Sequence, residues 1–138
     1  MDLVEVELAR VVIHQKADSQ FLLLRERRGS RSFQIVIGYT EVEEINRKLS
    51  GMTPRRPLTH DLIGRILTTL GHRLQRVVIT ELREDTFFAS LVLVPRDGTP
   101  GSPEHVVDCR PSDAIALAVQ TSAPILVARE VFEAVAAP

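Results

Sequence analysis

Apolar and polar residues alternate, or apolar residues run together, in seven short segments, a pattern typical of β-strands. These segments are 3–13, 21–24, 32–37, 76–82, 86–94, 105–109 and 125–128. Helical spacing of apolar residues predicts helices over 40–49, 59–70 and 111–121, with a last helix from 130. Three strands and a helix, an inserted helix, then three strands and a helix again indicate an α+β fold with flanking helices on a mostly antiparallel or mixed sheet.

The two parts of the chain at 1–51 and 75–123 resemble each other. Arg-Val-Val-Ile occurs at 10–13 and again at 76–79, in each case within the first of three strands that lead into a helix. The match is short, and it predicts an internal duplication of a β-β-β-α unit with 59–70 as the inserted helix.

Length and composition fit one compact domain over 1–138, because 138 residues that are 44% hydrophobic can bury a real core. The first residues are acidic and alternating, unlike a signal peptide. No apolar run approaches the roughly 20 residues of a membrane span, so we expect no membrane partner. The single cysteine excludes an internal disulfide and fits a reducing compartment, and a cytoplasmic protein is expected.

The charge distribution gives mixed indications about nucleic acid. A net charge of −1 argues against a broad basic surface. The segment 52–76 is nevertheless basic, with five arginines and one aspartate. These arginines either contact phosphate groups or belong to an ordinary solvated surface, and the shortness of such blocks favours the second interpretation.

Polar residues concentrate where two predicted helices begin, in Arg-Pro-Leu-Thr-His-Asp at 56–61 and in Arg-Pro-Ser-Asp at 110–113. Each set offers an arginine that can hold a phosphate with two hydrogen bonds, a hydroxyl, and a carboxylate that can bind a divalent cation or act as a base. This inventory suits phosphodiester hydrolysis. The candidate substrate-binding residues are Arg56, Thr59, Arg110, Ser112 and Asp108, and the candidate catalytic residues are His60, Asp61, Asp113 and Glu41.

A structural interpretation of the same residues competes with the catalytic one. Thr59 and Ser112 are residue types that cap helices, and Thr40 with Glu43 has capping-box spacing. Carboxylates in a first helical turn also interact favourably with the helix dipole. An arginine at a helix start is unfavourable with that dipole unless it has an anionic partner, and Asp108 is a candidate partner for Arg110.

Four motifs occur in this order along the chain: Gly-Tyr-Thr-Glu at 38–41, Arg-Pro-Leu-Thr-His-Asp-Leu at 56–62, Thr-Phe-Phe-Ala at 86–89 and Asp-Cys-Arg-Pro-Ser-Asp-Ala-Ile-Ala-Leu-Ala at 108–118. Through these motifs the sequence resembles the bifunctional nuclease domain family, and the resemblance covers nearly the whole chain. It implies an α+β fold, homo-oligomers and, as in some plant members, cleavage of both DNA and RNA.

The resulting hypothesis is a nuclease that acts on DNA or RNA phosphodiesters, with Mg²⁺ or Mn²⁺ as a candidate cofactor. The rival hypothesis is a non-catalytic regulatory module that binds a small anionic ligand or a partner protein. The single tyrosine and the absence of tryptophan favour the rival, because few aromatic residues are available to stack on unpaired bases. An extended edge strand at 3–13 is the predicted route to a homodimer.

Overall fold

A computed structural model describes residues 2–14 and 19–138 of the chain. The strands are β1 (Leu3–Val12), β2 (Gln20–Glu26), β3 (Ser32–Ile37), β4 (His72–Arg83), β5 (Thr86–Pro95), β6 (His105–Cys109) and β7 (Ile125–Ala128). The helices are α1 (Tyr39–Leu49), α2 (Thr59–Thr69), α3 (Pro111–Thr121) and α4 (Arg129–Val135). The predicted elements and the α+β class are confirmed.

All seven strands form one mixed sheet in the order β3-β2-β1-β7-β4-β5-β6. β4 and β7 are parallel, and the other neighbouring strands are antiparallel. The prediction that β1 is an edge strand is wrong, because β1 pairs with β2 on one side and with β7 on the other. Because both edges of β1 are paired within the sheet, β1 is not available for the predicted dimer contact.

A three-strand antiparallel segment followed by a helix occurs twice, as β1-β2-β3-α1 and as β4-β5-β6-α3. β7 lies between the two segments and joins β1 to β4. This topology accommodates the proposed repeat but gives no alignment of the two units, so the internal duplication stays a prediction.

The core lies where α1, α3 and α4 pack against the sheet. Alternation along the strands directs Leu22 and Leu24 of β2 inward, and both are fully buried. α3 is buried from Ala114 to Ala118, and its alanines allow the helix backbone to approach the strands closely. This burial fixes the start of α3 against the end of β6.

Helix starts differ from the capping prediction. The N-cap residues of α1, α2 and α3 are Gly38, Leu58 and Arg110, and none of them caps its helix through a hydrogen bond from its side chain to the helix backbone. Thr40 and Thr59 lie inside the first turns of α1 and α2, and Ser112 is buried as the second residue of α3. The capping roles predicted for these hydroxyl residues are wrong, because each helix begins one or two residues earlier than the hydroxyl requires.

Candidate active site

Asp113 organises the start of α3. Its Oδ2 accepts hydrogen bonds from the backbone N–H of Arg110 at 3.3 Å and from the Nε of Arg110 at 2.9 Å, and its Oδ1 accepts one from Nη2 of Arg110 at 2.9 Å. The carboxylate thereby satisfies a free backbone donor of the helix start and neutralises the arginine that stands there. The predicted partner Asp108 is wrong, since Arg110 pairs with Asp113 instead.

Glu41 brings the start of α1 to the same arginine. Its Oε1 accepts a hydrogen bond from Nη1 of Arg110 at 3.1 Å. Arg110 keeps 61% of its side-chain surface exposed, whereas Asp113 keeps 22%. The guanidinium is thus held by two carboxylates while one side of it faces solvent.

His60, in the first turn of α2, completes the group from a distant part of the sequence. Its Nε2 lies 3.0 Å from Oδ1 of Asp113, 53 residues away, and its side chain is 13% exposed. Its Nδ1 lies 3.6 Å from Oε1 of Glu44 and forms no hydrogen bond within the described part of the chain. Nε2 of Gln120 donates a hydrogen bond to the backbone oxygen of His60 at 3.2 Å, which ties α3 to the start of α2.

A cleft of about 600 Å³ opens between the starts of α1, α2 and α3, and we call it the His60 cleft. The charged or titratable side chains that line it are Glu41, Glu44, His60, Arg110 and Asp113. A second cavity of about 720 Å³ shares Glu41, Arg110 and Asp113 with the cleft and continues between β3 and the ends of β5 and β6. The arginine and the aspartate therefore stand at the junction of two open spaces.

Hydrogen bonding keeps Asp113 ionised. Burial by itself raises the pKa of this carboxyl, but the hydrogen bonds from Arg110 and His60 outweigh that effect and lower the pKa below its ordinary value. The hydrogen bond to Asp113, together with the contact to Glu41, holds the pKa of Arg110 above its ordinary value. The pair therefore stays charged through the neutral range.

Asp61 belongs to a different ion-pair group, which joins α1 to α2. Its carboxylate accepts hydrogen bonds from Nζ of Lys48, from Nη2 of Arg47 at 3.4 Å, and from the backbone N–H of Leu58 at 2.9 Å. Burial raises the pKa of Asp61, but these contacts together outweigh burial, so the pKa lies below its ordinary value. Asp61 lines a groove on the other side of α2 and is not among the residues of the His60 cleft.

The remaining predicted site residues lie at the periphery. Thr59 lines the His60 cleft, and Ser112 and Asp108 line the second cavity. Arg56 is exposed and makes no ion pair or hydrogen bond with the described residues. The structure thus brings together His60, Asp113, Arg110 and Glu41, and it leaves Asp61 and Arg56 outside this group.

Three residues in or beside the His60 cleft were not named from the sequence. Glu44 lies beside His60, Lys48 is only 7% exposed between Glu44 and Asp61, and Gln120 supports the backbone of His60. Glu44 and Lys48 are four residues apart on one helix face, and this spacing could have predicted their ion pair. No feature of the sequence predicts the position of Gln120.

The carboxylates do not form a ready metal site. Within residues 2–14 and 19–138, no group of three or more His, Cys, Asp or Glu side chains is arranged to hold a metal ion. Glu41 and Asp113 share Arg110, and Asp61 is engaged by Lys48 and Arg47. The expected Mg²⁺ or Mn²⁺ cofactor therefore stays a prediction.

The chain has an α+β fold and a cleft that contains an arginine, an aspartate and a histidine. It also matches a known protein family. The family model of the bifunctional nuclease domain matches residues 22–138. The chain belongs to the bifunctional nuclease domain family, which supports a nuclease-related role and nucleic acid as its ligand class.

Two proteins from two strains of Mycobacterium tuberculosis, each named only as an uncharacterized protein, are similar to this chain. Each is 38% identical over 123 residues, which covers 89% of this chain and 70% of the relative. Their names assign no reaction.

In the part of the chain that the structure describes, the helices are too short or too polar to cross a membrane.

Proposed function

We propose that this domain hydrolyses phosphodiester bonds of DNA or RNA in the His60 cleft. The observation that carries the proposal is the convergence of Arg110 and His60 on one carboxylate, Asp113, at the wall of that cleft. A phosphate-binding cation and a proton-accepting ring therefore lie side by side. Family membership supports the same class of reaction.

In this proposal Arg110 binds the phosphate. A guanidinium has five N–H donors, and three of them are used by Asp113 and Glu41. One N–H remains on each of Nη1 and Nη2, which is the arrangement that binds two oxygens of a phosphate. Glu41 and Asp113 limit the rotation of the guanidinium, so less side-chain freedom is lost when the phosphate binds.

His60 accepts a proton from the attacking water: as the water oxygen bonds to phosphorus, the P–O ester bond breaks and the leaving oxygen takes a proton from solvent. A hydrogen bond from Nε2–H to Asp113 selects the tautomer in which Nδ1 carries the lone pair. Nδ1 has no hydrogen-bond partner among the described residues, and it is the atom to which we assign the proton transfer. Asp113 is then a positioning residue for His60, since it holds the ring without itself taking the proton.

The test uses purified protein on single- and double-stranded DNA and RNA, with Mg²⁺, Mn²⁺ or a chelator. His60→Ala should abolish cleavage, because it removes the proton acceptor, while Arg28→Gln, at an exposed arginine outside the lining residues of the His60 cleft, should cleave like the native protein. The chelator arm shows whether a cation is needed. Equal cleavage by native protein and His60→Ala would contradict the proposal.

The second candidate function is a non-catalytic regulatory module that binds a partner or a small anionic ligand. The observation that favours it is the balance of charge in the His60 cleft, where Glu41, Glu44 and Asp113 face one arginine, and His60 is largely covered. A phosphate chain enters such a cleft less readily than a basic one. Absence of cleavage under every condition of the assay would favour this second function.

A further inference from the structure

A groove of about 660 Å³ lies on the side of α2 away from the His60 cleft, and we call it the α2 groove. It is lined by two arginines, Arg55 and Arg65, and by the hydroxyl residues Thr53, Thr68, Thr69 and Thr121. Pro57 lines both the groove and the His60 cleft, so the two spaces are adjacent across the start of α2.

The two arginines of the groove have no anionic partner among the residues that the structure describes. Within residues 2–14 and 19–138, neither Arg55 nor Arg65 forms an ion pair, whereas Arg47 and Arg110 are each held by two carboxylates. Arg96 stands beside them, because its Nη1 donates a hydrogen bond to Oγ1 of Thr68 at 3.3 Å, and it too lacks a carboxylate partner among the described residues.

Asp61, the carboxylate residue that lines the groove in the described part of the chain, is already neutralised. Asp61 is paired with Lys48 and Arg47, and both of those cations come from α1. The net charge that the groove presents to a ligand is therefore positive, in contrast to the acidic His60 cleft. Unpaired guanidinium groups beside several hydroxyls are the donor set that phosphate oxygens require.

We propose that the α2 groove binds a phosphate-bearing ligand, either a free nucleotide or a segment of nucleic acid backbone. A volume of about 660 Å³ lies within the range of small-molecule binding sites. Two of the five arginines of the basic segment 52–76, Arg55 and Arg65, line this groove. This binding does not depend on catalysis at His60.

The experiment measures the anisotropy of fluorescein-labelled octauridylate, with AMP as a competitor, in proteins that all carry His60→Ala, so that the proposed cleavage does not shorten the probe. The test variant is Arg55→Gln with Arg65→Gln. The matched control is Arg10→Gln with Arg28→Gln, which removes the same charge from two exposed arginines that lack carboxylate partners among the described residues. Circular dichroism checks that both double variants are folded.

The test variant should raise the Kd for octauridylate at least 10-fold. It should also reduce the slope of log Kd against log salt by about 1.4, because each lost phosphate contact on a single strand contributes about 0.7. Competition by AMP would identify a free nucleotide site, and binding of octauridylate without competition by AMP would identify nucleic acid backbone.

An unchanged Kd in the test variant, an equal loss in the control variant, or no binding of octauridylate by the His60→Ala parent would overturn the proposal. Because no outcome depends on cleavage, a protein without nuclease activity can still bind both probes. Failure of the proposed function and failure of this inference are therefore distinguishable.

Discussion

Lys48→Met tests the ion-pair group that holds α1 against α2 and so supports the wall of the His60 cleft. Lys48 is 7% exposed, and its ammonium contacts Asp61 and, at 3.7 Å, Glu44. Methionine keeps most of the side-chain volume and removes the charge. Two carboxylates that are largely buried would then lose their most buried cation.

The expected loss of stability follows from the contacts that remain. Breaking a buried ion pair costs about 3–5 kcal/mol when the surviving charge has no other partner. Here Nη2 of Arg47 still lies 2.7 Å from Glu44 and 3.4 Å from Asp61, and the N–H of Leu58 still donates to Asp61. We therefore expect Lys48→Met to lower the free energy of unfolding by about 2–3 kcal/mol.

Urea unfolding followed by circular dichroism measures this loss, as a fall in the midpoint of roughly 1–1.5 M for an m-value near 2 kcal/mol/M. Arg25→Met is the control, because it breaks the exposed ion pair with Glu7 and should leave the midpoint nearly unchanged. A Lys48→Met midpoint equal to that of the native protein would refute the argument that buried charge pairing holds α1 to α2.

Two further predictions concern titration. The pKa values of Asp61 and Asp113 lie below their ordinary value of 3.8 in the folded protein, so these groups stabilise the fold above that pH and lose their contribution as the pH falls through the folded values. Unfolding free energy measured from pH 7 to pH 3 should therefore fall less steeply in Asp61→Asn than in the native protein, and equal slopes would contradict this linkage. Burial, with the nearby charges of Asp113 and Asp108, raises the pKa of Cys109 to about 12. Iodoacetamide at pH 8 should alkylate the native thiol at least about 100-fold more slowly than free cysteine, as measured by mass spectrometry, and an equal rate would show that the thiol is accessible and ionised.

Strands and helices were predictable because their signals are local, and for the same reason residues that meet in the His60 cleft could be named as candidates. Period-two alternation marks the strands, and a histidine or an aspartate at a helix start is visible in the sequence. Asp113 and His60 could therefore be named as candidates. Their contact could not, since it depends on how α2 packs beside α3 across 53 residues of sequence.

The errors arose where tertiary structure decides between local alternatives. Arg110 had two possible partners, and the helical turn places Asp113 back over the start of α3, while Asp108 lies on the exposed strand β6. β1 looked like an edge strand because nothing near it in sequence covers its second side. The strand that does so, β7, begins more than a hundred residues later.

The central claim is that Asp113 prepares His60 for proton transfer through Nδ1. The most direct measurement is the ¹⁵N NMR spectrum of the His60 ring at a pH where it is neutral, in the native protein and in Asp113→Asn. The account predicts that the native ring carries its proton on Nε2 and a lone pair on Nδ1, and that this preference weakens in Asp113→Asn. A native ring protonated on Nδ1, or the same tautomer preference in both proteins, would contradict the claim.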